Sequence, residues 1–210
     1  MDLEERMRIV LEGGDAYKIF RMRRDINKLD LSGANFDNVD FSLRFGIPEF
    51  TGINGNFEGL NFANATFRKA CLREACLRMA YLFNADLCDA DLSRTNCDGA
   101  CMAKVKALRA KFCEAELQGV NFENAMLMEA DFSDAEMWES DLTGADLTGA
   151  NLRGAVLTEA NLTHANFRNA DLSNAEMDGT ILAGADFTGA NLENVSGLDH
   201  KSIEPPKNDC

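Results

Sequence analysis

The sequence predicts an all-β solenoid built from five-residue blocks, and three features of residues 55–194 lead to this prediction. Written from Gly55, the region forms 28 consecutive blocks without a break in phase. The third position holds 15 Leu, 8 Phe and 3 Met, and the first position holds 21 Ala. Neither position contains a charged residue, although 27% of the chain is charged. Positions one and three are therefore expected to face a filled interior.

A period of five fits neither a helix nor a straight strand. A helix would spread the apolar positions around its circumference, and a strand would turn every second block to the wrong face. Each block is therefore expected to run extended and then to turn a corner. The fifth position supports a corner because it is Gly or Asn in 15 of the 28 blocks, and both residues tolerate positive φ. If each corner turns by about 90°, four blocks close one coil, and coils stack ~4.8 Å apart.

Several blocks resemble the repeats of the pentapeptide-repeat family, among them ADLTG at 145–149, ANLRG at 150–154 and ADFTG at 185–189. The resemblance extends over residues 29–194. It implies a right-handed quadrilateral β-helix, and both the handedness and the square section come from the family pattern.

Residues 29–43 form three further blocks, one residue out of phase with the rest, and residues 44–54 separate them from Gly55. We predict that the insertion loop 44–54 takes the place of the fourth side and bulges outward, which gives about eight coils in all. Phe45 and Phe50 would lie on this bulge. Two interpretations stay open: the loop covers the end of the barrel, or it binds a partner.

The two ends of the solenoid need covering because terminal repeats expose core edges. Residues 1–28 are not repetitive, and their apolar residues have helical spacing, so we predict a short α-helical N-terminal cap. The C-terminal tail, 195–210, contains Pro205-Pro206, which disfavours a helix. Either Leu198 and Ile203 fold over the last coil, or the edge stays open and pairs with a second chain as a homodimer.

The sequence contains no catalytic constellation. His164 lies on an outer corner and His200 in the tail, and the glycines follow the corner period rather than a phosphate-binding pattern. The acids line convex sides without the cleft that shifts pKa values, and no four cysteines converge as a zinc site requires. We therefore expect no enzymatic activity, no cofactor and no metal.

Composition restricts the location and the class of partner. Seven cysteines without a disulfide framework, together with the lack of an apolar signal segment, predict a cytoplasmic protein. No apolar stretch is long enough to span a membrane. The formal net charge of −14 argues against direct binding to nucleic acid, which requires clustered Lys and Arg.

Charge divides the repeat region in two. Residues 55–111 have a net charge of +3, whereas residues 112–194 have a net charge of −14. Folding the blocks onto four sides places eleven of the sixteen acids of 112–194 on two adjacent sides. The strongest candidates for an interaction surface are Glu116, Glu136, Glu139 and Glu159 on one side and Asp131, Asp134 and Asp171 on the other.

We interpret these acids as a rigid protein–protein interaction surface for an unknown protein partner, while the alternative that they only solubilise the rod stays open. A second hypothesis rests on the resemblance. Some pentapeptide-repeat proteins protect DNA gyrase from quinolones by presenting an acidic rod in place of DNA. Those relatives dimerise through a C-terminal helical module and have more Cys and Ser at the first position, two features that this sequence lacks.

An apolar stripe forms a further candidate surface. Cys88, Leu108 and Met128 are fourth-position residues 20 apart, so they should stack on one outer side. However, Ala107 leaves a small gap in the inner column, and a local bulge could turn Leu108 inward to fill it. The sequence does not decide between the stripe and the bulge.

Overall fold

The computed structural model describes residues 33, 35–37 and 57–198, and within them the backbone winds as a four-sided β-helix. Parallel bridges join second-position residues 20 apart, from Asn61–Tyr81 to Glu176–Ser196. Twenty residues are four blocks of five, so each coil has four sides, as predicted. The described residues form isolated bridges rather than continuous strands or helices, because each side turns a corner before a longer ladder can develop.

The four sides are named by the blocks that begin them, and each side recurs every 20 residues. Side A begins with 60–64, side B with 65–69, side C with 70–74 and side D with 75–79. The second and fourth positions point outward, and the fifth position forms the corner to the next side.

Backbone hydrogen bonds hold successive coils together. In block 120–124, the N–H of Asn121 donates to the preceding coil at 3.1 Å. The N–H groups of Phe122 and Asn124 donate to the following coil at 2.7 and 2.9 Å, and the N–H of Val120 closes the turn before the block at 3.2 Å. Backbone carbonyl groups therefore accept four of the five N–H groups of this block. The N–H of the fourth residue has no partner in the ladder.

Corners form at the fifth position, as predicted. Every fifth-position residue from Gly59 to Asn194 has a φ between 54° and 75°. This left-handed conformation is natural for Gly and accessible to Asn. Lys, Glu, Arg, Asp, Met and His also occupy it in this chain, because the paired coils on both sides fix the corner geometry.

The first and third positions fill the interior, as predicted. From Leu60 to Met177 all of them are buried. Phe112 and Phe132, on successive coils, stack with their ring centroids 4.8 Å apart and their planes at 2°. This separation equals the ~4.8 Å spacing of paired strands, so the aromatic column and the backbone ladder share one repeat.

The prediction that residues 44–54 supply the fourth side is wrong. It would pair Asn35 with Asn61, 26 residues along the chain. Instead, Asn35 pairs with Thr66, 31 residues along, which exceeds one coil by the length of 44–54. Block 55–59 is the block that stacks on side D, since the N–H of Phe57 donates to the carbonyl oxygen of Cys76 at 2.7 Å.

The last described coil is less well covered than the coils before it. Leu182, Ala190 and Leu192 occupy interior positions but are only partly buried. Among the described residues, the third-position N–H groups of Leu182, Phe187 and Leu192 have no carbonyl partner. Leu198 packs against the core, in line with the interpretation that the tail folds over the end. Ile203 lies outside the described residues.

Three predictions concern parts of the chain outside the described residues. They are the helical cap at 1–28, the outward bulge of residues 44–54 with Phe45 and Phe50 on it, and the tail after Leu198. These stay predictions. Within the part that is described, no helix has the length and the hydropathy needed to cross a membrane.

Candidate interaction surfaces

Second-position Asn and Asp side chains complete the turns. The Oδ1 of Asp131 accepts the N–H of Ser133, the fourth residue of its block, at 3.0 Å. All fourteen second-position Asn and Asp residues between Asn61 and Asn191 make the same bond. The fourth-position N–H is the donor that the ladder leaves over, and leaving it buried and unpaired would cost about 1–3 kcal/mol.

Sequence reasoning missed this role. The signal was present, because Asn and Asp recur at the second position of the blocks. Sorting positions by hydropathy alone separates inward from outward residues. It does not distinguish an outward carboxylate that binds its own turn from one that faces only solvent.

Asp131, a predicted interaction residue, belongs to this turn set. It is half-buried, and its Oδ1 also accepts a bond from Asn151 Nδ2 on the next coil at 2.8 Å. Burial raises the pKa of the Asp131 carboxyl, but hydrogen bonds from Cys113, Ser133 and Asn151 outweigh burial and lower the pKa overall. The carboxylate is thus held by its own and neighbouring coils.

Asp171, also predicted as an interaction residue, has the same role two coils later. Its Oδ1 accepts the N–H of Ser173 at 3.0 Å and Nδ2 of Asn191 at 3.0 Å. The backbone bond from Ser173 is the main cause that lowers the pKa of this carboxyl. Side C therefore offers fewer free carboxylates than its number of acids suggests.

The predicted glutamates lie on side D and on its corner. Glu116 and Glu136 are second-position residues joined by a bridge, the one bridge among the described residues that pairs two acids. Glu139 and Glu159 are fifth-position residues that follow each other at the corner between sides D and A. All four glutamates are exposed. The structure therefore brings these four predicted residues together as two stacked pairs.

No cation on side D compensates these glutamates. Five ion pairs occur among the described residues, and none of them includes a side D glutamate. Between residues 115 and 179, side D contains no Lys or Arg. Only Asn96 Nδ2 donates to Glu116. Like charges opposite each other on paired strands destabilise a sheet, so side D presents an uncompensated carboxylate column.

Asp134 lies at the corner between sides C and D and is exposed. Its carboxylate lies over Gly154 on the next coil, in the space that a Cβ on that glycine would occupy. Asp134 thus borders the carboxylate column of side D, and it makes no turn bond of the kind that holds Asp131.

Trp138 is a side D residue that sequence reasoning missed. It is the single Trp of the chain, and it lies at the outward fourth position between Glu136 and Glu139. The indole is half-buried rather than part of the interior. Trp is enriched among the residues that dominate binding energy in protein interfaces. Side D therefore combines a carboxylate column with an aromatic surface.

Most arginines of residues 55–111, the basic region of the solenoid, are paired with acids. Four of its arginines form ion pairs with acids on neighbouring coils: Arg68 with Asp86, Arg73 with Asp91, Arg94 with Glu114 and Arg109 with Asp89. These pairs are solvent-exposed and therefore contribute little stability each. The basic and the acidic regions thus differ in pairing as well as in net charge.

The apolar stripe lies on the outside of side B, without a bulge. The ladder continues regularly through the gap, since the N–H groups of Ala107 and Arg109 donate to the next coil at 2.8 and 3.0 Å. Leu108 and Met128 are half-buried outer residues, and Met126 beside them is 44% exposed. Leu108 therefore stays on the outside and does not fill the space beside Ala107.

The described cysteines form no metal site. All six are free thiols, and burial raises the pKa of the Cys97 thiol to about 12. In the part of the chain that the structure describes, no group of three or more His, Cys, Asp and Glu side chains is placed to hold a metal ion.

Comparison with protein families identifies the repeat. The family model described as pentapeptide repeats matches in eight copies and covers more than half of the chain. The matched ranges are 53–82, 80–106, 109–144, 139–174 and 160–196. No curated protein matches.

Several solved structures are similar to the chain. One is QnrB1, described as a plasmid-mediated fluoroquinolone resistance protein, at 22% identity over 82% of this chain and 84% of that one, with a TM-score of 0.39. A pentapeptide repeat protein from the Arabidopsis thaliana thylakoid lumen is 27% identical over 59% and 68%, with a TM-score of 0.36. HetL from Nostoc sp. strain PCC 7120, described as involved in heterocyst differentiation regulation, is 23% identical over 87% and 98%, with a TM-score of 0.24.

Proposed function

Because the chain belongs to the pentapeptide-repeat family, we propose that it is a non-enzymatic binding protein whose side D presents a rigid acidic surface to a basic protein partner. The observation that supports this most is the bridge between Glu116 and Glu136, extended along the corner by Glu139 and Glu159.

The charge arrangement on side D is unfavourable for the isolated protein. Stacked carboxylates repel each other across ~4.8 Å, and side D has no cation between residues 115 and 179 to offset the repulsion. These glutamates also make no bond to the N–H of their own turns, unlike Asp131 and Asp171. A basic partner would relieve the repulsion, and Trp138 offers a surface on which an arginine side chain can stack.

Rigidity favours a pre-formed surface. Each coil donates hydrogen bonds both to the coil before it and to the coil after it, and the interior is filled from Leu60 to Met177. Side chains on such a scaffold lose little further backbone freedom on binding, so less ordering entropy opposes association.

The test uses an immobilised arginine-rich peptide as the basic probe. We expect the variant Glu136→Gln/Glu139→Gln/Glu159→Gln to bind about tenfold more weakly than the wild type, a difference of about 1.4 kcal/mol. The matched control is Glu74→Gln/Glu129→Gln/Glu193→Gln, which removes the same charge from exposed positions outside the carboxylate column of side D and away from side A. Equal weakening in both variants would mean that binding depends on the net charge of the protein and not on the position of the side D glutamates. This result would contradict the proposal.

A second candidate is a DNA mimic that binds DNA gyrase or another topoisomerase. The recurrence of acids at the coil spacing of ~4.8 Å favours this candidate, because the surface of a topoisomerase that binds DNA is lined with cations. However, the turn role of Asp131 and Asp171 leaves side D as the main free acidic side. Salt-sensitive inhibition of gyrase supercoiling by this protein would support the candidate. Supercoiling that is unaffected by micromolar concentrations of the protein would exclude it.

A further assembly is a homodimer through the last described coil. The partly buried Leu182 and Leu192 would gain cover from a second copy. We expect Leu192→Glu to abolish such a dimer in a sedimentation experiment, and an unchanged dimer would exclude this end as the interface.

A further inference from the structure

Side A is the least charged side of the solenoid. Of its fourteen outward second and fourth positions, only those of Glu123 and Asp141 are charged, whereas the other three sides have six or seven charges each at the same positions. Asp141 is half-buried, and its Oδ1 accepts both the N–H and the hydroxyl of Thr143, at 3.0 and 2.6 Å. The flat part of side A is therefore nearly neutral on a protein with a net charge of −14, and Glu139 and Glu159 border it at the corner shared with side D.

Three of the most exposed apolar side chains lie on this side or at its corner. Tyr81 and Ile181 are second-position residues of side A and are 44% and 54% exposed, and Met79 at the corner that leads into it is 63% exposed. Among the described residues, these are three of the four large apolar side chains with the highest exposure.

An aromatic pair stands out from a flat surface. The rings of Tyr81 and Phe83 lie 6.1 Å apart with their planes at 12°, and Lys104 Nζ lies 5.6 Å from the centre of the Phe83 ring. Above and below Phe83, the fourth positions are the buried Ala63 and Ala103. The aromatic pair thus projects beyond its neighbours, where a partner surface can contact it.

The two exposed ends of side A are related by position. Tyr81 and Ile181 occupy the same position of their blocks and are separated by five coils, about 24 Å. Consider a two-fold axis that lies in the interface, runs along the strand direction of side A and passes midway between Asn121 and Asp141. It would place Tyr81 of one copy on Ile181 of a second copy. The same axis would place Phe83 opposite the small, exposed Ala183. An isologous interface requires self-complementarity of this kind.

We propose that side A is a dimer interface, on which a second copy of this chain packs antiparallel. Two copies with a charge of −14 repel each other, so they associate most favourably through the side with the fewest charges. From Asn61 to Ile181 the side extends over six coil spacings, about 29 Å. This dimer leaves Glu116 and Glu136 on side D free, whereas Glu139 and Glu159 lie at the corner that borders the interface.

The proposed axis has an electrostatic consequence. Glu123 is exposed and lies one coil from Asp141, so the dimer brings the Glu123 carboxylates of both copies close to the axis. Association should therefore strengthen with added salt, which screens the repulsion. The variant Glu123→Gln should tighten the dimer several-fold, as measured by sedimentation equilibrium, and a weaker dimer in this variant would contradict the proposed axis.

A first experiment measures the oligomeric state. Tyr81→Glu should raise the dimer dissociation constant at least about tenfold, because it places a charge in the centre of an apolar contact. Tyr81 is far from the last described coil, so this variant leaves an end-to-end dimer through that coil unaffected. Met126→Glu, at an equally exposed second position on side B, is the matched surface control. A chain that stays monomeric at high concentration and high salt, or a dimer that Tyr81→Glu leaves intact, would overturn the proposal.

A second experiment tests the register. The axis places Cys101, a half-buried free thiol, opposite residue 161 of the second copy. Facing sheets lie ~10 Å apart, which is too far for a disulfide but within reach of a short bismaleimide. We expect Asn161→Cys to give a cross-linked dimer that is lost in Asn161→Cys/Cys101→Ser. The control Asn166→Cys, on side B, should give none. Equal cross-linking by both single variants would exclude side A.

Discussion

Sides C and D of the last four coils contain similar numbers of acids, five and six, but use them differently. On side C, Asp131 and Asp171 accept hydrogen bonds from their own turns and from the next coil. On side D, Glu116 and Glu136 stack on each other without a cation. At the second position, therefore, the Asp side chain binds the backbone of its own turn, whereas the Glu side chain is available to a partner.

The largest difference between the two sides should appear when the side chains are removed. We expect Asp131→Ala to lower the free energy of unfolding by about 1–2 kcal/mol, because it leaves the partly buried N–H of Ser133 without its protein acceptor. Glu136→Ala should change it by less than about 0.5 kcal/mol, as is usual for exposed positions. Urea unfolding of the two variants provides the measurement. Equal losses would mean that side D carboxylates are also structural.

The glycine corners of the two sides should respond alike to a methyl group. Gly154 follows side C with a φ of +69°, and Asp134 Oδ1 lies in the space of its missing Cβ. Gly119 follows side D with a φ of +60° and open space around it. The exposed Asp134 side chain can rotate away from a new methyl group, so we expect Gly154→Ala and Gly119→Ala each to lose about 1 kcal/mol, the cost of the left-handed backbone. A much larger thermal shift for Gly154→Ala would mean that the Asp134 side chain is held in place.

Acid should destabilise side C through its turn carboxylates. The pKa values of Asp131 and Asp171 are lowered in the folded state, so their contribution is present above the ordinary Asp pKa and is lost as the pH falls through the folded values. Asp131→Asn/Asp171→Asn should therefore lose less stability below about pH 4, since Asn keeps the acceptor oxygen. Thermal unfolding between neutral and acidic pH measures this. An unchanged acid response would show that other groups dominate.

The smallest effect concerns the repulsion on side D. Glu136→Gln should raise the free energy of unfolding by about 0.5 kcal/mol at low ionic strength, and the gain should disappear in high salt as the charges become screened. Asp131→Asn, which removes one acid from side C, should show no such gain. A salt-independent effect of Glu136→Gln would mean that electrostatic repulsion between the stacked glutamates does not destabilise the fold.

Much of the fold could be predicted because the constraints repeat. The uncharged first and third positions identify the interior, and the Gly and Asn of the fifth position identify the corner. The register around 44–54 was mispredicted because block counting gives the number of extra residues but not the side that they interrupt. The pairing of Asn35 with Thr66 resolves this.

The candidate surfaces were harder to predict for a physical reason. Whether an outward Asp is free depends on which backbone donor the ladder leaves unpaired, and that information lies in the hydrogen bonds between coils. Tyr81 and Trp138 were missed because outward positions accept any residue type. Their environment becomes visible only when blocks 20 residues apart are placed side by side.

Carbodiimide labelling of carboxyl groups, read residue by residue by mass spectrometry, tests the difference between the two sides most directly. In the folded protein, Glu136, Glu139 and Glu159 should be modified several-fold faster than Asp131 and Asp171, whose oxygens are engaged in turns. An arginine-rich peptide should protect the three glutamates and leave the two aspartates unchanged. Equal labelling rates on both sides, or protection spread evenly over all acids, would contradict the account.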